Sequence, residues 1–425
     1  MKKREIRPLV PEDMNRYIDI YLNAYPAGKD LSEECKAKFY NRNMQSLREF
    51  DHVNFFGMFE DDTLIAIMKL IDFDMNLFGE MKRATGLMSL GVHPLHKRKG
   101  AARDMVEFFE KYTTKSGGVV SMLLPFRMDF YKKLGYSCGT KLEEYHIKTE
   151  YLPDCSDRSE LAGLRFLTGD EVELAVKCYT EFVRQNHGAV CKFEEEIRDM
   201  HSDDDVRRLG LFHDGELKGY AAFTFENTSD CNYTLNRLNV KELVYLDAET
   251  LRKLLAGLRM QSDLVQSVVI RSGEPDFHYL LESCQDMSGN YIDFGFLQTN
   301  IAAVGTMYKI CDIEKFIKES AHRCFPDMTM NAGFNVEDDL KGTEERFALN
   351  FEGGYWSYAP GESAYDSAQV HVSCKRSDLS ALLMGSAEFA GLARTGSMKV
   401  DKQEFVKRLD MLFHAEQKPF TNTDY

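Results

Sequence analysis

No stretch of the 425-residue chain is apolar for long enough to cross a bilayer, which takes ~20 consecutive apolar residues. The opening MKKREIRPLVPEDM is charged and is not followed by an apolar core, so it does not read as a secretory signal. CxxC pairs are missing too. The ten cysteines are scattered from Cys35 to Cys374, which argues against a disulfide frame or a structural zinc and for reduced thiols in a cytoplasm. The 11 histidines are equally dispersed; His93 and His96 flank a proline loop, and no metal is expected. Positive charge is also short: 53 Lys and Arg against 68 Asp and Glu give a net charge of −15. That balance disfavours a nucleic-acid partner. It suits a cationic substrate drawn by the long-range field, or equally a surface kept acidic for solubility.

What is present fits a folded, multidomain α/β chain. Hydrophobic residues at 44% and charged residues at 28% are in the globular range, and the length implies about three domains. Residues 1–150 read as one α/β unit. Ile6–Leu9, Phe55–Glu60, Leu64–Phe73 and Ala84–Val92 are expected strands, with Asp61-Asp62 as a turn and Pro11-Glu12-Asp13 opening a helix. Leu152–Arg165 has the composition of a linker.

Residues 160–295 repeat the pattern. Glu171–Arg184 is an expected helix, Arg208–Phe212 and Leu217–Phe225 a hairpin, Glu242–Leu246 a strand, Ala248–Met260 a helix and Gln266–Arg271 a buried strand. Residues 300–425 form a third unit, opening with a strand at Thr306–Ile310 and the helix Asp312–Ala321. Strands at Glu345–Phe351 and Ala368–Lys375 follow, then helices at Leu379–Met384, Ala387–Ala393 and Lys402–Leu412. The aromatic-bearing end, KPFTNTDY, is either loosely ordered or docked in a groove.

The richest segment runs from Gly86 to Tyr136. After an apolar strand come His96-Lys97-Arg98-Lys99-Gly100-Ala101-Ala102, then an amphipathic helix over Arg103–Tyr112 with Met105, Phe108, Phe109 and Tyr112 on one face. Small residues at 100–102 let the backbone approach an anion, helix N-terminal amides supply donors, and the basic side chains add charge-assisted bonds. A solvated basic loop would look the same in isolation. The next strand, Val119–Leu124, is nearly all apolar. If it splays from the strand before the turn, backbone amides are left free beside FYKKLGY and its first tyrosine, Tyr131. Tyr131 is a candidate proton donor or a core aromatic; Tyr136 is the competing phenol. In the second unit, Leu246-Asp247-Ala248-Glu249-Thr250 holds neither glycine nor base, so that copy is expected to lack a cofactor site.

The segment resembles the GCN5-related N-acetyltransferases, whose pyrophosphate loop follows Gln/Arg-x-x-Gly-x-Gly/Ala. Here the pattern falls on Lys97 to Ala102, with Lys at the first position and Ala at the last, so a bidentate arginine contact is lost while the cation and the close backbone approach are kept. The whole chain is more narrowly similar to the Eis family, on GVHPLHKRKG, LLPFRMDFYKKLGY and the terminal KPFTNTDY.

The resemblance implies tandem GCN5-related acetyltransferase folds, the second degenerate, followed by a sterol-carrier-like α+β domain. It implies acetyl-CoA as acetyl donor and an amine of a polycationic small molecule or peptide (aminoglycoside, polyamine or lysine side chain) as acceptor, in a homo-hexamer. Residue by residue, it places amides of Leu90, Gly91 and Val92 at the acetyl and pantetheine end. Arg98, Lys99, Gly100, Ala101, Ala102 and Arg103 fall around the pyrophosphate, and Phe126 and Arg127 beside the thioester. Tyr131 is the implied general acid and the terminal carboxylate of Tyr425 the implied general base. The acceptor pocket is expected to draw on loops around Tyr25-Pro26 and Asp30–Tyr40. The rival reading is a non-catalytic lipid carrier or assembly protein built on the third domain, and its apolar positions serve an ordinary core equally well.

Overall fold

The computed structural model describes residues 4–27, 31–155, 157–289, 292 and 295–423. The chain begins with β1 (Arg4–Pro8), α1 (Met14–Ala24) and α2 (Glu33–Glu49). A meander follows, β2 (Val53–Glu60), β3 (Thr63–Leu77) and β4 (Glu80–Val92), then α3 (Ala101–Lys115), β5 (Val120–Leu123), α4 (Met128–Lys133) and β6 (Ser137–Cys138). β3 is buried at almost every position from Leu64 to Ile71, so it reads as a continuous apolar run rather than an alternation.

Residues from Glu33 to Tyr40, expected as loop, are helical. Ser32 caps α2, its hydroxyl accepting the Cys35 amide at 3.2 Å, and Glu33 and Glu34 fill the first turn. Among its residues only Asn43, Met44 and Ser46 are buried. The helix therefore lacks the apolar stripe by which a sequence announces one.

The second unit contains β7 (Lys141–Lys148), β8 (Leu164–Phe166), α5 (Val172–Gln185), α6 (Glu194–Ser202), β9 (Arg207–His213) and β10 (Glu216–Asn227). It continues through β11 (Asn236–Tyr245), α7 (Ala248–Arg259), β12 (Val265–Ser272) and β13 (Ile301–Val304), and β14 (Met307–Ile310) comes next. Among the described residues the first sheet runs β1-β2-β3-β4-β5-β14-β6 and the second β13-β7-β12-β11-β10-β9-β8. The two sheets have exchanged a strand. β14 does not open the third unit; it lies antiparallel to β5, Met307 opposite Leu123 and Ile310 opposite Val120, and also pairs with β6. β7, from the first 150 residues, lies in the second sheet against β12 and β13.

The third unit comprises α8 (Ile313–Glu319), β15 (Met330–Asp338), β16 (Thr343–Glu352), β17 (Tyr355–Pro360) and α9 (Glu362–Asp366). It ends with β18 (Val370–Lys375), α10 (Arg376–Leu383), α11 (Phe389–Arg394), β19 (Met398–Val400) and α12 (Val406–Phe413). Its sheet order is β17-β16-β15-β18-β19. Phe334, Phe347, Phe351, Trp356 and Phe413 pack against one another on this sheet, ring centroids 5.6–6.4 Å apart between neighbours. These rings form an ordinary core.

The units share a buried seam. The His187 ring stacks on Phe78 at 4.1 Å, accepts the Phe78 amide at Nδ1 (3.1 Å) and meets the Met384 carbonyl at Nε2 (2.9 Å). Burial holds this imidazole at about 4. An unfolded histidine titrates near ~6.5, so between those values the unfolded chain binds the extra proton. The contribution is complete above the unfolded value and fades as pH falls toward 4, a loss on the order of 3 kcal/mol. Urea denaturation between pH 7 and 4 should show uptake of about one proton on unfolding that His187→Gln removes. An unchanged slope in that variant would assign the acid sensitivity elsewhere.

Candidate active site

Parallel pairing of β4 with β5 is confined to Ala84–Leu87 and Val120–Leu123. Beyond Leu87 a bulge displaces the register of β4 against β3, and Ser89 takes φ 57°. The strands diverge there, and the backbone from Met88 to Val92 has no partner on the β5 side. α3 then begins at Ala101 behind Gly100, which sits at φ 87°, with Arg98 also left-handed at φ 62°. No side chain caps α3, so its first amides are free for an anion.

These elements enclose a cavity of about 840 Å³. Of the residues expected around the cofactor, Leu90, Val92, Arg98, Gly100, Ala101, Ala102, Arg103, Phe126 and Arg127 line it. Gly91 and Lys99 do not. Gly91 faces α1, where an added Cβ would sit 3.3 Å from Ala24 and 3.1 Å from Ile67. The Lys99 carbonyl takes a 2.9 Å bond from Arg4, and its ammonium turns back to the Leu95 carbonyl. Arg127 is held in a fork with Asp129.

Tyr131 lies one layer beneath the lining, only 2% exposed, with the rings of Phe126 and Phe130 edge-on at 5.7 and 5.0 Å. Burial pushes its phenol well up, and the nearby Tyr25 phenol adds to the shift. Tyr136 is fully buried and receives the Ser121 hydroxyl at 3.0 Å; it belongs to the core. The wall also contains Lys97, the first position of the loop pattern, and groups that pattern did not single out as cofactor contacts: Ala24 to Ala27, His96 and Phe130. Tyr25 is the most pointed of these. It donates to the Leu90 carbonyl at 2.7 Å, and burial pushes it up to about 12. The sequence placed Tyr25-Pro26 at the acceptor pocket; they line this cavity.

The second unit differs at the corresponding turn. Asp247 caps α7, its carboxylate accepting the Thr250 amide at 2.7 Å, so a fixed anion already sits where a phosphate would have to bind. Beyond Gly273 the space is filled by the C-terminal tail, and a Cβ on Gly273 would fall 2.1 Å from the Phe420 ring. The tail is docked as far as it is described. Phe420 bonds the His187 carbonyl at 3.0 Å, Thr140 donates to Pro419 at 2.6 Å, and buried Thr423 meets the Tyr179 hydroxyl at 3.1 Å. Tyr425 lies outside the described residues. Asn422 joins Met88 of β4 in lining a mixed-charge cleft of about 530 Å³, where Lys192 pairs with Glu196 and Glu242 and Arg42 with Asp199.

Residues 5–139 match the acetyltransferase (GNAT) domain family, and residues 188–290 match a second family of the same description. Residues 314–422 match the sterol carrier protein domain. The chain is thus an acyltransferase with tandem GNAT folds and a C-terminal sterol-carrier-like domain, in the class whose activity is acetyl-CoA-dependent acetyl transfer. Over its full length it matches the structure of Eis1 from Mycobacterium abscessus, at 17% identity and a TM-score of 0.75 with 100% of each chain covered. A GCN5-related N-acetyltransferase from Anabaena variabilis ATCC 29413 (15%, TM-score 0.77) and a probable N-acyltransferase from Enterococcus faecalis V583 (16%, 0.75) also match over 100% of both chains. At these identities the likeness is one of fold. No curated protein matches the chain. Among the described residues no helix is long and apolar enough to cross a membrane.

Proposed function

We propose that the chain transfers an acetyl group from acetyl-CoA to an amine by direct attack, with Tyr131 as general acid and the carboxylate of Tyr425 as general base. The supporting observation is a single cavity that has an uncapped helix N-terminus at one wall, diverging strands at another, and the Tyr131 ring beneath its aromatic lining. Acetyl-CoA bound there supplies the acyl carbon, which forms a bond to nitrogen as its bond to sulfur breaks.

The α3 amides with Arg98 and Arg103 hold phosphate, and the amides of Leu90 and Val92 hold the acyl end. Phe126 and Arg127 cover it. Tyr131 gives its proton to the departing thiolate, and the terminal carboxylate takes the proton the amine must lose. The acceptor is a polycationic amine, drawn by the net charge of −15. The assembly is a homo-hexamer, which sedimentation measures.

Incubating the protein with acetyl-CoA and a panel of aminoglycosides, polyamines and lysine peptides should release free thiol, with CoA binding visible by calorimetry. Silence across the panel together with absent CoA binding sinks the reading.

A further inference from the structure

Lys309, on the exchanged strand β14, is only 1% exposed. Its ammonium donates to Glu110 Oε1 of α3 at 2.7 Å and to the carbonyl of Leu134 at 2.7 Å, with Asp338 Oδ2 of β15 at 3.9 Å. Leu134 is the residue on which α4 ends, so one buried cation grips both the helix whose N-terminus forms the cradle and the helix that carries Tyr131.

The third unit braces the same point. Arg103 of α3 donates to the Leu340 carbonyl, and the Leu340 side chain is buried in the first unit's core with Ala101, Met105 and Val106. Arg376 donates to the carbonyls of Ile310 and Cys311, fixing the end of β14. Gly135 fits tightly over the ammonium: at φ 89° it has no Cβ, and one placed there would fall 3.0 Å from Nζ.

We propose that Lys309 is a positioning residue for the transfer reaction, holding α4, and with it Tyr131, at a fixed setting against α3. The inference rests on the reading of Tyr131 as the acid. A buried ammonium costs free energy unless it is paired and hydrogen-bonded, and here it donates to a helix-terminal carbonyl and the Glu110 carboxylate, with the Asp338 carboxylate 3.9 Å away. A proton donor displaced by about 1 Å can lose ~10²-fold in rate, so this contact governs turnover and leaves ground-state binding alone.

The test uses the full chain in three variants. Lys309→Met/Glu110→Gln removes the hydrogen-bonded pair together and leaves Asp338 on the Leu340 and Lys341 amides, which protects the fold. It should keep the CoA dissociation constant within about twofold while kcat falls at least about tenfold. Gly135→Ala presses on the ammonium without removing it and should show the same split between kcat and KM. Tyr131→Phe run alongside separates the two ideas. Full turnover in Tyr131→Phe removes the acid itself. Wild-type kcat in both strut variants beside a crippled Tyr131→Phe removes only the positioning role, as does a loss confined to the KM for acetyl-CoA.

Discussion

Replacing Tyr131 by Phe should lower kcat by ~10²–10³-fold and leave CoA affinity within about twofold. The ring makes its packing contacts with Phe126, Phe130 and Tyr136, and phenylalanine keeps all of them, so a stability loss is not expected to confuse the result. Burial raises this phenol, so it stays protonated throughout the neutral range and is available as a donor at every working pH. The rate should accordingly rise with pH as the acceptor amine and its base lose protons, with no falling limb from Tyr131 below pH ~10. Stopped-turnover assays across pH 6–9.5 would check both points. A variant with the full rate and an unchanged profile would remove Tyr131 from the chemistry.

Extending the chain beyond Tyr425 by a short tag should abolish transfer, by at least ~10²-fold in kcat, without shifting the melting temperature. The anchor explains why fold and activity should part. Pro419, Phe420 and Thr423 are held by Thr140, His187 and Tyr179, so the backbone arrives at the same place whatever follows it. Only the free carboxylate is lost, because the extension converts it to an amide. Removing Asp424 and Tyr425 should give the same loss with CoA binding retained. Near-wild-type rates in both variants would assign the base to another group.

The backbone of the proposed cofactor end was the most legible part of the site in the sequence, because its physics is local. A left-handed glycine, small residues and an uncapped amphipathic helix follow one another within Arg98 to Tyr112. Asp247 was legible in the same way, as the absence of that pattern in the second copy. What could not be read are the features made by tertiary packing. α2 exposes most of its surface and has no apolar stripe to announce it. Met307–Ile310 is plainly a strand, but four buried residues do not say which sheet they complete. Gly91 and Lys99 sit inside the motif yet face away from the cavity, since a motif fixes the path of the backbone and not each side chain's direction.

The exchange of β7 and β14 has a consequence for how the chain is made. The first sheet cannot close when β6 leaves the ribosome; it waits for Met307, which follows Cys138 by roughly 170 residues. At ordinary synthesis rates of about 5–20 residues per second that interval lasts roughly ten to thirty seconds, with the β5 edge left open for a mispairing partner meanwhile. Cutting the chain at the linker after Leu152 would leave an N-terminal fragment that lacks β14 and carries β7 without its partners.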